Sequence, residues 1–163
     1  MSEAYEELIQ GETAYRRSPP AVQEILVNRL HALVTAALTP SADLQLLPPR
    51  ASVQLADDCI LRPDLTVIRT APELAGPARL YLVAEVLLPG DHHLDTVLKK
   101  EIWSGLRLPR LWMVDPRYLN VEVYGLGEYG FTLADILANH HRLTDPKLPG
   151  LGCSMDELFA KLR

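Results

Sequence analysis

Cysteine is scarce in this sequence, with only Cys59 and Cys153 among 163 residues. The two lie far apart and form no CxxC spacing, which excludes a zinc ribbon or a CxxC redox motif. No apolar run reaches the roughly 18 residues of a membrane-spanning helix, and the start MSEAYEEL lacks the basic and apolar segments of a signal peptide. We therefore expect a cytoplasmic protein that makes no use of a membrane.

Several familiar catalytic signatures are also missing. The sequence has no glycine-rich phosphate-binding loop and no G-x-S-x-G nucleophile elbow. Asp and Glu number 21 against 16 Lys and Arg, and the net charge of −5 argues mildly against nucleic acid as a partner. A chain of 163 residues, 48% of them apolar, can bury a core without disulfides or a structural metal. We expect a single domain over residues 1–163.

The hydrophobic pattern predicts helices and strands around a central sheet. Apolar residues recur at three- and four-residue spacing after Ser18, which is suited to cap a helix. Pro63 places the strand that contains it at an edge or a bulge. The predicted helices are 18–39, 94–105 and a short one begun by a capping box at Ser154 and Glu157. Residues 41–50 are predicted as a loop or short edge strand, and the predicted strands are 52–55, 59–68, 80–88, 111–114, 120–124 and 129–133. This order indicates an α/β fold, and no element is predicted for the polar residues 1–17.

Glu85 is the most informative residue, because it is the one charged side chain in the apolar strand at 80–88. Burying an unpaired carboxylate costs several kcal/mol. With a period of two, Glu85 shares its face with Tyr81, Val83 and Leu87, none of which can neutralise it. A partner must come from another element. One interpretation is a salt bridge to an arginine in the core, and the other is a metal site.

Asp64 is the second acid of interest, 21 residues before Glu85 on the preceding predicted strand. Successive strands joined by a short loop usually lie side by side. If these two pair, both carboxylates point to one face, and a hard divalent ion such as Mg²⁺ would relieve their repulsion. Such an ion polarises a phosphate and lowers the pKa of a bound water, which is the chemistry of phosphodiester hydrolysis.

Lys99 is the third candidate. It lies one turn after Asp95, on the predicted helix that follows the Glu85 strand. A lysine ammonium there could stabilise the charge that develops on a phosphate during attack. The alternative is an Asp95–Lys99 pair on a solvated helix face, worth a few tenths of a kcal/mol.

Seven short motifs follow one another along nearly the whole chain. They are ELI-x-GE from Glu7, PD at 63–64, EV with a following Pro at 85–89, D-x-x-x-K at 95–99, an aromatic at 103, LW with VDP at 111–116 and LPGL at 148–151. In this order they resemble the Uma-two family of putative restriction endonucleases, which belongs to the PD-(D/E)XK nuclease superfamily. The resemblance implies a restriction-endonuclease-like α/β fold, with a central mixed β-sheet flanked by α-helices.

The resemblance also implies an activity, namely an endonuclease that hydrolyses DNA with Mg²⁺ or Mn²⁺. Asp64 and Glu85 would bind the metal. The wider superfamily has a lysine two residues after the acid, where this chain has Leu87, so the lysine role passes to Lys99. Glu7 is an additional candidate acid. A homodimer is expected because cutting two strands suits two sites.

A second class of function is compatible with the same residues: a non-catalytic nucleic-acid or protein binding module that keeps the fold. The net acidity favours it. Residues 99–117 favour the nuclease, because five Lys and Arg face two acids there, a local charge of +3. The histidine pairs at 92–93 and 140–141 are interpreted as solvated loops. Trp103 and Trp112 could stack on bases, but Trp112 lies in an apolar strand and is interpreted as core.

Overall fold

The structure is a computed structural model that describes residues 2–38, 43–91 and 94–162. The helices in these ranges are α1 (Ala21–Ala37), α2 (Lys100–Gly105) and α3 (Met155–Leu158), with a π-helix at Leu94–Lys99 and 3₁₀ turns at Gly76–Arg79 and Pro89–Asp91. The strands are β1 (Tyr5–Ile9), β2 (Glu12–Arg16), β3 (Leu44–Leu46), β4 (Val53–Ala56), β5 (Cys59–Leu61), β6 (Leu65–Arg69), β7 (Leu80–Val86), β8 (Arg110–Asp115), β9 (Asn120–Gly127), β10 (Gly130–Ala138), β11 (Arg142–Asp145) and β12 (Leu148–Ser154). No helix in this part of the chain is long and apolar enough to cross a bilayer.

A six-stranded mixed sheet forms the centre of the structure, in the order β10-β9-β8-β7-β6-β3. All of its neighbours are antiparallel except β7 and β8, which run parallel. The predicted central mixed sheet is therefore confirmed. The chain also builds two smaller sheets that the hydrophobic pattern did not indicate, β2-β1-β5-β4 and β11-β12.

Strand β10 lies at one edge of the central sheet. Its pairing with β9 shifts between Leu133 and Asp135, which marks a β-bulge. Leu133 and Ile136 are exposed on this strand, and the Asp135 carboxylate accepts a hydrogen bond from the backbone N–H of Ile136 at 2.8 Å. The far edge is the short strand β3, where the sequence indicated a loop or edge strand.

Apolar side chains cover both faces of the central sheet. One face packs against α1 through residues that include Leu26, Leu30, Leu82, Ala84 and Trp112. The opposite face carries a second cluster, in which Trp103 of α2 packs with residues that include Val83, Leu87, Leu111 and Met113. Both tryptophans are fully buried, so neither is available to stack on a base. Glu85 lies between Val83 and Leu87 in sequence and so falls on the second face.

Two irregularities interrupt the predicted strands. Pro63 lies in the gap between β5 and β6, which belong to different sheets, because proline has no N–H with which to continue a ladder. In β7, Leu82 pairs with Val67 of β6 and Leu80 pairs with the next residue, Ile68. Tyr81 is therefore the extra residue of a β-bulge. Tyr81 consequently packs in the α1 cluster, and the prediction that it shares a face with Glu85 is wrong.

The N-terminal residues form a hairpin, β1–β2, where the sequence predicted no element. Its two-residue turn is Gln10-Gly11, with φ values of 52° and 80°. Positive φ at both central residues is the geometry of a tight hairpin turn, and glycine adopts it without strain. A Q-G pair beside the apolar Leu8 and Ile9 was therefore the available signal.

Helix α1 begins later than predicted. Its N-cap is Pro20 in an extended conformation, and no side chain caps it. Ser18 and Pro19 each precede a proline, which disfavours helical geometry at both, so Ser18 cannot cap the helix. The helix ends at Ala37, and the predicted end at Thr39 lies outside the described residues. The C-terminal capping box is confirmed: Ser154 and Glu157 exchange side-chain to backbone hydrogen bonds at 3.2 Å.

Ser154, which caps α3, and Ser18, which was predicted to cap α1 and does not, give a matched pair of substitutions. Ser154→Ala should lower the free energy of unfolding by about 1 kcal/mol, because it leaves the Glu157 N–H without its acceptor. Ser18→Ala should change it by less than about 0.5 kcal/mol, because Ser18 caps no helix. Urea unfolding of both variants would check this. Equal decreases in the free energy of unfolding of the two variants would mean that the Ser154 hydrogen bond adds no stability.

Candidate active site

The two candidate metal ligands lie at the end of the β6–β7 pair. Leu65 pairs with Ala84, and continuing this register by one residue sets Asp64 opposite Glu85. Opposite residues of an antiparallel pair project to the same face, and this register brings the Asp64 and Glu85 side chains close enough for Asp64 to raise the pKa of Glu85. Both side chains are buried.

Asp64 is held by three donors from three parts of the chain. Its Oδ1 accepts hydrogen bonds from Gln23 Nε2 at 3.0 Å and from Arg50 Nε at 3.1 Å, and its Oδ2 accepts one from the backbone N–H of Val86 at 2.8 Å. Burial raises the pKa of Asp64 above its ordinary value, against the lowering effect of Arg50 and the Val86 N–H. Arg50 also forms an ion pair with Glu24 at 2.8 Å.

Sequence reasoning missed Gln23 and Arg50. Gln23 was detectable in principle, because it lies on the stripe of α1 that is buried together with Leu26, Val27 and Leu30. A polar residue on an apolar stripe needs a buried partner. Arg50 lies in the loop before β4 and has a left-handed backbone conformation, with φ of 56°. Nothing in the sequence pattern indicated that its side chain would reach Asp64.

One carboxylate oxygen of Glu85 lies close to a cation but, among the described residues, accepts no hydrogen bond. Its Oε1 lies 2.6 Å from Lys99 Nζ, yet the approach does not have hydrogen-bond geometry. Only 2% of the residue is exposed. Burial raises the pKa of Glu85 to about 8, because loss of hydration outweighs the attraction of Lys99, and Asp95 and Asp64 add repulsion. In the absence of a further cation, Glu85 therefore holds a proton over much of the neutral range.

Lys99 projects into the acid cluster. Its Nζ lies 3.0 and 3.3 Å from the two carboxylate oxygens of Glu7, 2.6 Å from Glu85 and 3.9 Å from Asp95. These three acids raise the pKa of Lys99 although burial acts to lower it. Both Asp95 and Lys99 are buried, so the interpretation of this pair as a solvated helix face is wrong. Leu87, at the usual lysine position, packs in the apolar cluster.

Glu7 and Arg16 connect the N-terminal hairpin to the helix that carries Lys99. Arg16 binds both oxygens of Asp95, at 3.0 and 3.1 Å, and lies 3.2 Å from Glu7 and 3.3 Å from Asp91. Glu7 also accepts a hydrogen bond from the backbone N–H of Arg62 at 2.7 Å. Lys99, this N–H and Arg16 together lower the pKa of Glu7 despite its burial. Arg16 had no signal in the sequence, since the strand that carries it was not predicted.

The buried acids of the site outnumber its buried cations. Four carboxyl groups face three cations, so the charges balance while Glu85 is protonated and one negative charge is in excess once it ionises; these groups are Glu7, Asp64, Glu85 and Asp95 against Arg16, Arg50 and Lys99. In the described part of the chain, no three or more His, Cys, Asp or Glu residues form a group able to hold a metal. Mg²⁺, however, is often bound by one or two carboxylates, with water and phosphate completing its shell. The Asp64–Glu85 pair, with one oxygen free of hydrogen bonds, fits such an open site.

The other sequence candidates do not join this site. Lys99 apart, three basic residues of 99–117 contact separate partners: Lys100 lies 4.1 Å above the Tyr124 ring, Arg110 approaches Asp145 and Arg117 binds Asp115. His92 and His93 lie outside the described residues. His140 and His141 form an exposed pair of rings in the turn before β11, as the solvated-loop interpretation expected.

Comparison with known proteins gives a family and a fold. A family profile named Uma2 and described as "Putative restriction endonuclease" matches residues 2–156. The crystal structure of a putative nuclease of the DUF820 group from Anabaena variabilis is similar, with a TM-score of 0.78 and 15% sequence identity over 100% of this chain and 95% of that one. No protein of curated function matches the chain.

Replacing Glu85 with Gln tests the burial of its charge. Since the folded-state pKa of Glu85 is raised from 4.5 to about 8, the folded protein binds a proton that the unfolded chain has released between these values. The wild-type free energy of unfolding should therefore fall as the pH rises through this window, and the fall should end above about pH 8. Glu85→Gln should remove this contribution and match or exceed the wild type near pH 9, because Lys99 keeps Glu7 as a partner.

Thermal unfolding at several pH values, in buffer with a chelator, would check this. The exposed Glu101→Gln is the matched control and should leave the slope unchanged. A loss of about 3–5 kcal/mol in Glu85→Gln at every pH would instead identify the Glu85–Lys99 pair as a net stabilising core salt bridge.

Proposed function

The chain belongs to the Uma2 family of putative restriction endonucleases, and we propose that it is a nuclease that hydrolyses phosphodiester bonds of DNA with Mg²⁺ or Mn²⁺. One observation carries this proposal: two buried carboxylates on adjacent strands, Asp64 and Glu85, share a face with a buried lysine ammonium 2.6 Å from one of them. A buried cluster with one more carboxyl group than cations, beside a lysine of fixed position, suits a divalent ion that replaces the Glu85 proton, together with a phosphate.

Each residue of the site has a distinct part in this proposal. Asp64 and Glu85 would hold the metal, which when bound supplies Lewis-acid polarisation of the phosphate and a water of lowered pKa. Lys99 would place its charge where negative charge develops during attack. Glu7 orients the Lys99 ammonium through two short contacts, and Arg16 fixes the turn that carries Lys99 by binding Asp95 on both oxygens.

A binding module that keeps the fold is the second candidate. The net charge of −5 and the apolar Leu87 favour it, since the superfamily's usual lysine position is here part of the core. A module of this kind has no need of Mg²⁺ at Glu85, so metal binding separates the two functions. A homodimer, proposed from the family resemblance, would set two sites against two strands.

Metal binding should be visible as stabilisation. Millimolar Mg²⁺ or Mn²⁺ should raise the melting temperature of the wild type, because a ligand that binds only the folded state adds about 2.7 kcal/mol at a hundredfold excess over its dissociation constant. Glu85→Gln should respond little, since it loses a charged ligand. Differential scanning fluorimetry with and without metal measures both. Equal shifts in the two proteins would remove Glu85 from the metal site.

Activity should depend on Lys99. Lys99→Ala should lower the cleavage rate of plasmid DNA by more than tenfold, about 1.4 kcal/mol of barrier. Lys100→Ala is the matched control, because its ammonium lies over Tyr124 outside the acid cluster, and it should cleave at the wild-type rate. Circular dichroism would establish that both variants fold. Wild-type turnover in a folded Lys99→Ala protein would leave this lysine a structural role only.

A further inference from the structure

Three clefts lie between the N-terminal hairpin and the edge of the central sheet where β7 and β8 end. The first, of about 590 Å³, is lined by residues that include Glu7, Tyr15 and Arg62. The second, of about 550 Å³, lies between Tyr15 and the turn after β7. The third, of about 650 Å³, lies between the start of α1, the turn after β8 and the residues around α3. We call these three clefts together the edge track.

The three clefts adjoin one another. Tyr15 lines both the first and the second. Pro20 lines the second and Val22 the third, two residues apart at the start of α1. Leu88, after β7, lines the second, and Pro116, after the neighbouring parallel strand β8, lines the third. The edge track therefore borders the acid site, because Glu7 lines its first cleft and Asp91, which lies 3.3 Å from Arg16, lines its second.

Cations are distributed along the whole edge track. Arg62 lies in the first cleft, Arg17 in the second, and Arg117 and Lys161 in the third. Arg17, Arg62 and Lys161 are exposed, and in the described part of the chain their side chains form no ion pair. Spaced, solvated cations of this kind can follow a chain of phosphates.

Exposed aromatic rings lie at two points of the edge track. Tyr15 is 66% exposed where the first two clefts meet, and Tyr118 is 70% exposed beside the third. The Arg117 guanidinium lies 5.2 Å from the Tyr118 ring centre. Large rings left in water beside clefts that hold cations match the platforms on which unpaired bases stack, whereas a duplex keeps its base faces hidden.

We propose that the edge track binds an extended single nucleic-acid strand, with bases stacked on Tyr15, beside the acid site, and on Tyr118, beside the third cleft. The inference rests on the proposed nuclease function and specifies its substrate as unpaired: a single strand, or the flared strand of a locally opened duplex. The arginines and Lys161 contact phosphates, and the two tyrosines hold the strand so that one phosphate lies beside Glu7, at the border of the acid site.

Equilibrium binding of a fluorescent 20-nucleotide oligo-dT, followed by anisotropy in the presence of a chelator, tests the proposal without cleavage. Tyr15→Ala and Tyr118→Ala should each weaken binding at least about fivefold, the smallest effect of losing one stacked base. Arg62→Gln should reduce the slope of log affinity against log salt concentration by about the contribution of one phosphate contact. Tyr129→Ala is the matched control, since Tyr129 is 96% exposed but lies away from the edge track, in the cleft between α2 and β10.

The outcomes separate this inference from the proposed function. Losses at both tyrosines, with Tyr129→Ala at wild-type affinity, support the edge track even if no metal gives cleavage. Metal-dependent cleavage with tyrosine variants that bind like the wild type would overturn the edge track and leave the nuclease in place. The edge track would also be overturned if a 20-base-pair duplex bound more tightly than oligo-dT and its affinity were unchanged in both tyrosine variants. Tyr15→Leu, which keeps an apolar strand residue without the ring, replaces Tyr15→Ala if the latter does not fold.

Discussion

Four carboxylates buried beside three cations form the constraint that the rest of this structure satisfies. Each carboxylate in the interior costs several kcal/mol unless donors surround it, and no single element supplies enough donors. The hairpin β1–β2 contributes Arg16, the start of α1 contributes Gln23, the loop before β4 contributes Arg50 and the π-helix contributes Lys99. Elements that are far apart in sequence are thus joined through one set of ion pairs, which makes the acid cluster a structural centre as well as a candidate catalytic one.

The one parallel pair in the central sheet explains how Lys99 reaches this centre. Parallel neighbours need a crossover connection, because the chain must return to the starting end of the sheet before the second strand begins. Between β7 and β8 the π-helix and α2 form this crossover and pack through Trp103 on the face that carries Glu85. A lysine on the first turns of the crossover is therefore carried directly over the acid at the end of the preceding strand. A lysine thus reaches the acid cluster although Leu87 occupies the position where the superfamily usually has its lysine.

The sequence was most informative where burial and charge conflict. Glu85 in an apolar strand, Asp64 after a proline and Lys99 one turn after Asp95 were found by pattern, and the structure places all three in one cluster. Their cationic partners were not found, because Arg16 lies on a strand hidden in a polar N-terminal segment and Arg50 depends on a left-handed loop conformation. Bulges also escaped the pattern, since a period of two assumes an unbroken ladder, and Tyr81 was assigned to the wrong face for that reason. Long-range donors and backbone irregularities are properties of the folded chain, and residue spacing alone does not encode them.

The bulged edge strand β10 limits how two copies of this chain can associate. An unpaired strand edge with exposed Leu133 and Ile136 would otherwise recruit the same strand of another molecule and join two central sheets into one. The shifted register at Leu133–Asp135 breaks the flat row of donors and acceptors, and the Asp135 carboxylate already holds the Ile136 N–H and adds a negative charge beside it. Two such edges brought together would oppose like charges across a distorted ladder. A dimer joined edge to edge through β10 is thereby disfavoured, and a dimer would have to form through another surface.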